Sequence, residues 1–248
     1  MKKYDYDKIA GYYDILEGNF QDIEKFNKAI DKIFKEHKVK SVLDFTCGTG
    51  NQAIYLHKKG YNITASDISK EMLHIAKKKY YKIKWNLGDI RTTKFGKFDA
   101  VISIFNAIGH LSKEDFKKAI KNVSSNLNQK GIYIFDIFNY DFMKDNFRYY
   151  EFIDSWKEVN GIVYVRFNKN RFDKNKKIIK INQRTYIQKK MEKMKILKES
   201  WDMKIYSSNE VRKILEENKF KVIKFLNDDG RRFDKKKSLS ILTVARKN

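Results

Sequence analysis

Proline is absent from all 248 residues, and cysteine occurs once, at position 47. A single cysteine excludes an internal disulfide and any zinc site built from cysteine alone. Cys47 itself reads as a small residue tucked into a turn, badly placed for the attacking thiol that cytosine C5 methylation needs. No apolar run approaches the roughly 18 residues that a bilayer span requires, and the first residues, Met-Lys-Lys-Tyr-Asp-Tyr-Asp, lack the apolar stretch of a signal peptide. The expectation is a cytoplasmic chain without a membrane partner. Acids are also scarce: 31 Asp and Glu face 54 Lys and Arg, a net charge of +23. Such a surplus is the electrostatic footprint of nucleic-acid binding, yet arginine supplies only 9 of the 54. The lysine clusters at 77–79, 174–177 and 235–237 adjoin expected helix ends or turns, where solvated charge is ordinary. Together with the missing proline they read as the surface of a protein from an AT-biased genome.

What is present is organised around residues 42–50, Val-Leu-Asp-Phe-Thr-Cys-Gly-Thr-Gly. A short apolar run ends in Asp44, and Gly48 and Gly50 follow where the chain turns sharply and lets a ligand approach bare backbone. A helix is expected from about Gln52 to Lys58, so that its first N–H groups face whatever lies over the glycines. Gly48-Thr-Gly50-Asn-Gln-Ala53 formally fits the dinucleotide fingerprint, with Asp67 near the place of its ribose-binding acid. Asp44 argues for a different ligand. A carboxylate there would repel a pyrophosphate and attract a cation such as the sulfonium and ammonium of S-adenosylmethionine.

With Asp44 and its glycine turn, this stretch resembles the first motif of the class I S-adenosylmethionine-dependent methyltransferases. Further motifs fall in that family's order: Tyr61–Ser66 ending at Asp67, Gly88-Asp89-Ile90 after Ile83–Leu87, and Phe98–Asn106. The resemblance covers about residues 4–140 and, more loosely, 207–246. It implies an α/β fold, a doubly wound, mostly parallel seven-stranded sheet of Rossmann-like type. It also implies a cofactor, S-adenosyl-L-methionine leaving as S-adenosyl-L-homocysteine, held by Asp44, Thr46, Gly48, Thr49, Gly50, Asp67, Ile68, Met72, Asp89, Ile90 and Phe105. No metal is expected.

Repeated βα units support such a sheet independently. Ser69 is placed to cap one helix, Ser112 with Asp115 another, and Ser207 with Glu210 a third. After a fifth strand at Gly131–Asp136 the pattern changes. Strand-like runs at Phe152–Trp156, Ile162–Phe167, Ile178–Ile187 and Met194–Trp201, with Asn160-Gly161 between the first two, read as an antiparallel meander. The expected organisation is a core of residues 1–149 and 207–248 with an inserted antiparallel β lid at 150–206. Phe220–Leu226 and Leu239–Ala245 are read as a final antiparallel hairpin.

Before the sheet, Tyr4–Leu16 carries several tyrosines, and Phe26, Ile30, Ile33 and Phe34 follow at helical spacing. In the small-molecule branch of the resembled family such a segment closes over cofactor and substrate, a role assigned here to Tyr12 and Tyr13. Asn106 and His110 are the polar candidates at the acceptor, with Tyr12 as a third catalytic candidate. Residues 106–111 resemble the Asn-Ser-Phe-Ala-His-Leu of glycine and sarcosine N-methyltransferases, and 136–141 their Asp-His-Arg-Asn-Tyr-Asp. The arginine that would grip an amino-acid carboxylate is Phe138 here, leaving Arg148, Arg166, Arg184 or Arg231 as replacements. Aminosugar N-methyltransferases are equally similar. The expected function is therefore methyl transfer to a small-molecule acceptor, an amine nitrogen first, by a monomer or homodimer. The alternatives are RNA methylation through the basic surface, an NAD-dependent oxidoreductase, and a non-catalytic cofactor-binding regulator. Methylation of exocyclic base amines is disfavoured, because Ile104-Phe-Asn-Ala107 stands where such enzymes carry a double proline.

Overall fold

The computed structural model describes residues 1–17, 20–149 and 151–248. Two helices, α1 (Tyr6–Leu16) and α2 (Phe20–Glu36), precede the alternating units. These are β1 (Ser41–Asp44), α3 (Asn51–Lys58), β2 (Asn62–Asp67), α4 (Lys70–Lys79), β3 (Lys84–Leu87), β4 (Phe98–Ser103), α5 (Lys113–Asn126) and β5 (Leu127–Phe138). A short helix α6 (Tyr140–Asn146) leads to the four long strands β6 (Glu151–Val159), β7 (Ile162–Asp173), β8 (Ile178–Lys189) and β9 (Lys195–Lys204). The chain closes with α7 (Ser208–Glu217), β10 (Phe220–Leu226) and β11 (Ser240–Lys247).

The main sheet has seven strands in the order β10-β11-β5-β4-β1-β2-β3, with β11 alone running against the rest. Its central strands are short and apolar because helices cover both faces. Val42 packs with Phe26, Ile30 and Phe34 of α2 and Leu56 of α3, whereas Leu43 packs with Phe116 and Ile120 of α5 and Leu215 of α7. The strand order reverses between β2-β1 and β1-β4, which leaves a crevice beyond the carboxyl end of β1.

Helix starts follow the sequence signals. Ser69 accepts a hydrogen bond from the Met72 amide, and Ser207 with Glu210 forms a complete capping box. Ser112 accepts from the Asp115 amide, but the box there is only half made. The Asp115 carboxylate pairs with Arg91, 3.1 Å away, because a guanidinium is a stronger partner than a backbone amide. Strand β5 starts four residues earlier than expected, since Leu127 already pairs with Phe98 before a register shift. Likewise β11 begins at Ser240 and extends to Lys247.

The second sheet is the antiparallel meander β6-β7-β8-β9. Its first hairpin turns at Asn160-Gly161, both with positive φ (54° and 70°), as a two-residue hairpin turn demands. The strands run longer than the apolar runs suggest because ladder pairing continues through polar residues. Tyr150, the first residue of the expected insertion, lies outside the described residues. Alternation gives this sheet one inward face, Tyr164, Arg166 and Asn168 on β7, Ile179, Ile181, Gln183 and Thr185 on β8, Trp201 and Met203 on β9. Its apolar end packs with Phe138 at the end of β5 and with Tyr140, Met143 and Phe147 beyond it. No helix among the described residues is long and apolar enough to cross a membrane.

Candidate active site

Asp44 ends β1 at the crevice and is 1% exposed. One carboxylate oxygen accepts a long bond from the Thr46 amide (3.3 Å), and the other is buried without a partner. Burial, with the Asp67 charge adding to it, pushes its carboxyl up to about 8. The Thr46 hydroxyl and the Ser66 hydroxyl on β2 are likewise buried and unpartnered. Gly48 takes φ +53°, and a Cβ added there would meet nothing within 4 Å, whereas a Cβ on Gly50 (φ +88°) would stand 2.5 Å from the Trp85 ring. The first glycine keeps space open for a ligand; the second lets the loop lie against Trp85.

Asp67 holds this loop in place. Its carboxylate accepts from the Gly48 amide (2.8 Å) and from the Ser69 amide (2.9 Å), so the end of β2 braces both the glycine turn and the start of α4. Two large apolar side chains beside it, Ile68 and Leu87 at the ends of β2 and β3, are 62% and 51% exposed. They form a greasy rim of the kind that takes a flat ring. Residue pattern does not mark Leu87 as part of a site, because a leucine ending a strand looks like core. Asp89 is less free than expected: Arg91 grips both its oxygens at 2.6–3.0 Å and holds its carboxyl below the usual range. Ile90 belongs to the core between sheet and α5.

The N-terminal helix closes over the loop. Asp14 accepts from the Thr49 hydroxyl (2.6 Å), the Asn51 amide group (3.1 Å) and the Lys79 ammonium (2.8 Å). Asp7 accepts from the Ser69 hydroxyl and the Glu71 amide. The hydroxyl of Thr49, expected on the cofactor, is therefore engaged by Asp14. Met72 is buried beneath α1 with Ile9 and Ala10, and Tyr13 packs at its edge.

A second group of residues, where the acceptor is expected, lies beyond β4. Phe105 and Asn106 both adopt left-handed backbone, φ +59° and +56°, a strained double turn of the sort concentrated at functional sites. Asn106 is buried; its amide donates to Asp136 (3.0 Å), its side-chain oxygen accepts from the Phe138 amide, and its side-chain nitrogen lies 3.9 Å from Met203 Sδ. Phe105 stacks on Phe26. Burial lifts the Asp136 carboxyl to about 7 and leaves its second oxygen unpartnered. His110 Nε2 is 2.9 Å from the Tyr6 hydroxyl, while Nδ1 is buried with no partner. Burial lowers its pKa to about 4, so the ring is neutral near pH 7.

The tyrosines of α1 point in different directions. Tyr12 does not meet Asn106 or His110: its hydroxyl accepts from Lys195 on β9 and its ring lies near Tyr164 on β7. On a helix, residues 12 and 6 point to different faces, and Tyr6 is the one that reaches the histidine, beside Tyr4 and Tyr13. The alternative arginines are also accounted for. Arg166 is buried between Glu17 at the end of α1 and Asp154 on β6, Arg231 pairs with Asp229, and Arg148 and Arg184 are exposed. Phe138 packs in the apolar end of the second sheet.

A buried acid closing the first strand, a glycine turn at the switch point and a second acid bracing it define the class I S-adenosylmethionine-dependent methyltransferase fold. Residues 42–131 of this chain match the methyltransferase domain family. It is 36% identical over 118 residues to glycine/sarcosine N-methyltransferase of Parasynechococcus marenigrum, an alignment covering 44% of this chain and 42% of that one. The chain thus spans about half the length, or less, of the curated relatives it matches. In structure it is similar over 98% of its length, and 99% of the other, to a methyltransferase from Clostridium acetobutylicum (TM-score 0.82, 23% identity). The sugar N-methyltransferase KedS8 from Streptoalloteichus is similar over 95% of this chain and 92% of that one (TM-score 0.80, 16% identity).

Proposed function

We propose that this chain transfers a methyl group from S-adenosylmethionine to the nitrogen of a small-molecule amine. The observation that carries the reading is the unpartnered, buried oxygen of Asp44 at the switch point. A carboxylate so placed is stabilised by a cation and opposed by a phosphate. Asp44 and the Thr46 hydroxyl would hold the charged end of the cofactor, Asp67 and the Gly48 backbone its ribose, and Ile68 and Leu87 its adenine. When bound, S-adenosylmethionine supplies an electrophilic methyl group whose bonding electron pair returns to sulfur.

The chain's own contribution is to bring a neutral amine to that methyl with water excluded. An ammonium must first lose one proton to solvent before water is shut out, so that its lone pair can form the new N–C bond; the methylated product then carries the positive charge that the sulfonium has lost. Neutral His110 and Asn106 offer hydrogen-bond acceptors for the remaining N–H groups. The second sheet and the N-terminal helix both pack against these residues, an arrangement that suits a small acceptor better than a folded RNA. Titration calorimetry with S-adenosylmethionine, S-adenosylhomocysteine and NAD tests the reading. Binding of both adenosyl ligands and not NAD is expected; binding of NAD alone would overturn it.

A further inference from the structure

The inward face of β9 runs Glu199, Trp201, Met203, and each meets a different part of the site. Met203 approaches Asn106, the Trp201 ring lies 4.0 Å from that of Tyr4, and Tyr4 directs its hydroxyl to Glu199 over 3.5 Å. Tyr4 in turn lies 4.8 Å from Tyr6 and stacks 6.2 Å from His110. One row of side chains thus leads from the strained turn after β4 to a carboxylate on the second sheet. Three polar atoms around Tyr4 are buried without partners: Glu199 Oε1, Trp201 Nε1 and His110 Nδ1. Buried polar atoms are almost always satisfied, so three orphans about one ring point to a missing ligand.

The charge of that ligand follows from its surroundings. In a chain with 54 Lys and Arg, Arg166 is the one buried basic side chain among the described residues. It is already committed to Glu17 and Asp154. Asp44, Asp67, Asp136 and Glu199 all have carboxyls raised chiefly by burial; at Glu199 the charges of Lys8 and Arg166 offset part of the rise without bonding to it. The cofactor's cation answers Asp44; among the described residues no basic group bonds to Glu199, whose one partner is the Tyr4 hydroxyl. Aromatic faces at Tyr4, Tyr6 and Trp201 add to the attraction for a cation.

We infer that Glu199 is the counter-ion of the acceptor's ammonium group, and that the acceptor is an amine with no carboxylate beside its nitrogen. The inference rests on the methyltransferase reading and narrows it. A zwitterionic amino acid would bring an anion to a region whose one buried basic side chain among the described residues, Arg166, is already paired with Glu17 and Asp154, and where Phe138 stands among apolar neighbours. The indole N–H of Trp201 and the amides of Asn168 and Gln183, paired at 3.0 Å on the same face, suit hydroxyl groups on such an amine.

The test uses the full chain loaded with S-adenosylhomocysteine, titrated calorimetrically with methylamine, ethanolamine and glucosamine, and with glycine and sarcosine. At least one carboxylate-free amine is expected to bind tenfold or more tightly than either amino acid. Glu199→Gln should weaken that binding at least tenfold, with S-adenosylhomocysteine affinity unchanged as proof of folding, and Glu199→Asp should recover part of it. Tighter binding of glycine or sarcosine, no binding of any of the three amines, or an amine affinity untouched by Glu199→Gln would overturn the inference. A chain that takes no S-adenosylhomocysteine at all would instead sink the methyltransferase reading beneath it.

Discussion

The two halves of the site are built by opposite means. On the side where the cofactor is proposed, Asp44, Gly48, Asp67 and Ser69 belong to one continuous stretch, and the loop is fixed by bonds to its own backbone and to the strand beside it, with Asp7 and Asp14 of the N-terminal helix bonding to it from above. On the side where the acceptor is proposed, Tyr6 meets His110 across 104 positions and Tyr4 meets Glu199 across 195, with Trp201 against the Tyr4 ring. The backbone of the first half follows from βα geometry and two glycines. The second exists only when the N-terminal helix and the inserted sheet dock on each other. Cofactor binding and acceptor choice are therefore separable here, and substitutions should divide the same way.

Gly50→Ala should have the largest effect, and on the cofactor half alone. Its Cβ would meet a Trp85 ring that is itself pinned by a 2.8 Å bond from Nε1 to the Tyr80 carbonyl, at a φ that L residues avoid. The expected cost is about 1–3 kcal/mol of stability, with calorimetric binding of S-adenosylmethionine lost. Unaltered binding would show that the turn tolerates displacement.

Asp44→Asn comes next and sharpens the comparison through charge. It should weaken S-adenosylmethionine roughly tenfold, about 1.4 kcal/mol, and S-adenosylhomocysteine less, because the latter lacks the sulfonium. In the free protein the Asp44 carboxyl titrates near 8, so a cation must compete with a proton below that pH. Wild-type affinity for S-adenosylmethionine should therefore fall as pH drops below about 8, and the variant should lose that slope. The stability sign is the reverse of a salt-bridged acid. A folded pKa above the unfolded value means the folded state holds the extra proton, so the ligand-free protein loses stability as pH rises from about 4 towards 8. The asparagine variant should melt higher than wild type at pH 8.

Tyr6→Phe is the mildest and falls on the acceptor half alone. It removes the 2.9 Å bond to His110 Nε2 and leaves a second buried nitrogen unpaired. A loss of about 1 kcal/mol should appear as a several-fold fall in kcat/KM for the amine, with S-adenosylmethionine Kd unchanged. A matching loss of cofactor affinity would break the separation between the halves.

Legibility in the sequence follows the same division. The strand ending at Asp44, the glycine turn, the caps at Ser69 and Ser207, and the Asn160-Gly161 hairpin are local devices whose partners lie within a few residues, so residue pattern alone reveals them. The alternation that makes the inserted meander is local too. What pattern does not reveal is which atoms are already taken. The Thr49 hydroxyl is spent on Asp14, the Asp89 carboxylate on Arg91, and the Asp115 side chain on that same arginine rather than on its own helix cap. Tyr12 and Tyr6 sit on one tyrosine-rich helix, and only docking against β9 and the turn after β4 tells which of them faces the histidine.

By itself, then, the sequence determined the doubly wound core, the inserted sheet and the acid-and-glycine loop, because backbone conformation and burial period are read from neighbours along the chain. Tertiary structure alone decided the rest: that Tyr4, Tyr6, His110, Glu199 and Trp201 come together, and that among the described residues no basic side chain bonds to Glu199 there. Burial is what raises those carboxyls and neutralises the imidazole, and burial is a property of what packs on top, not of what comes next in the chain.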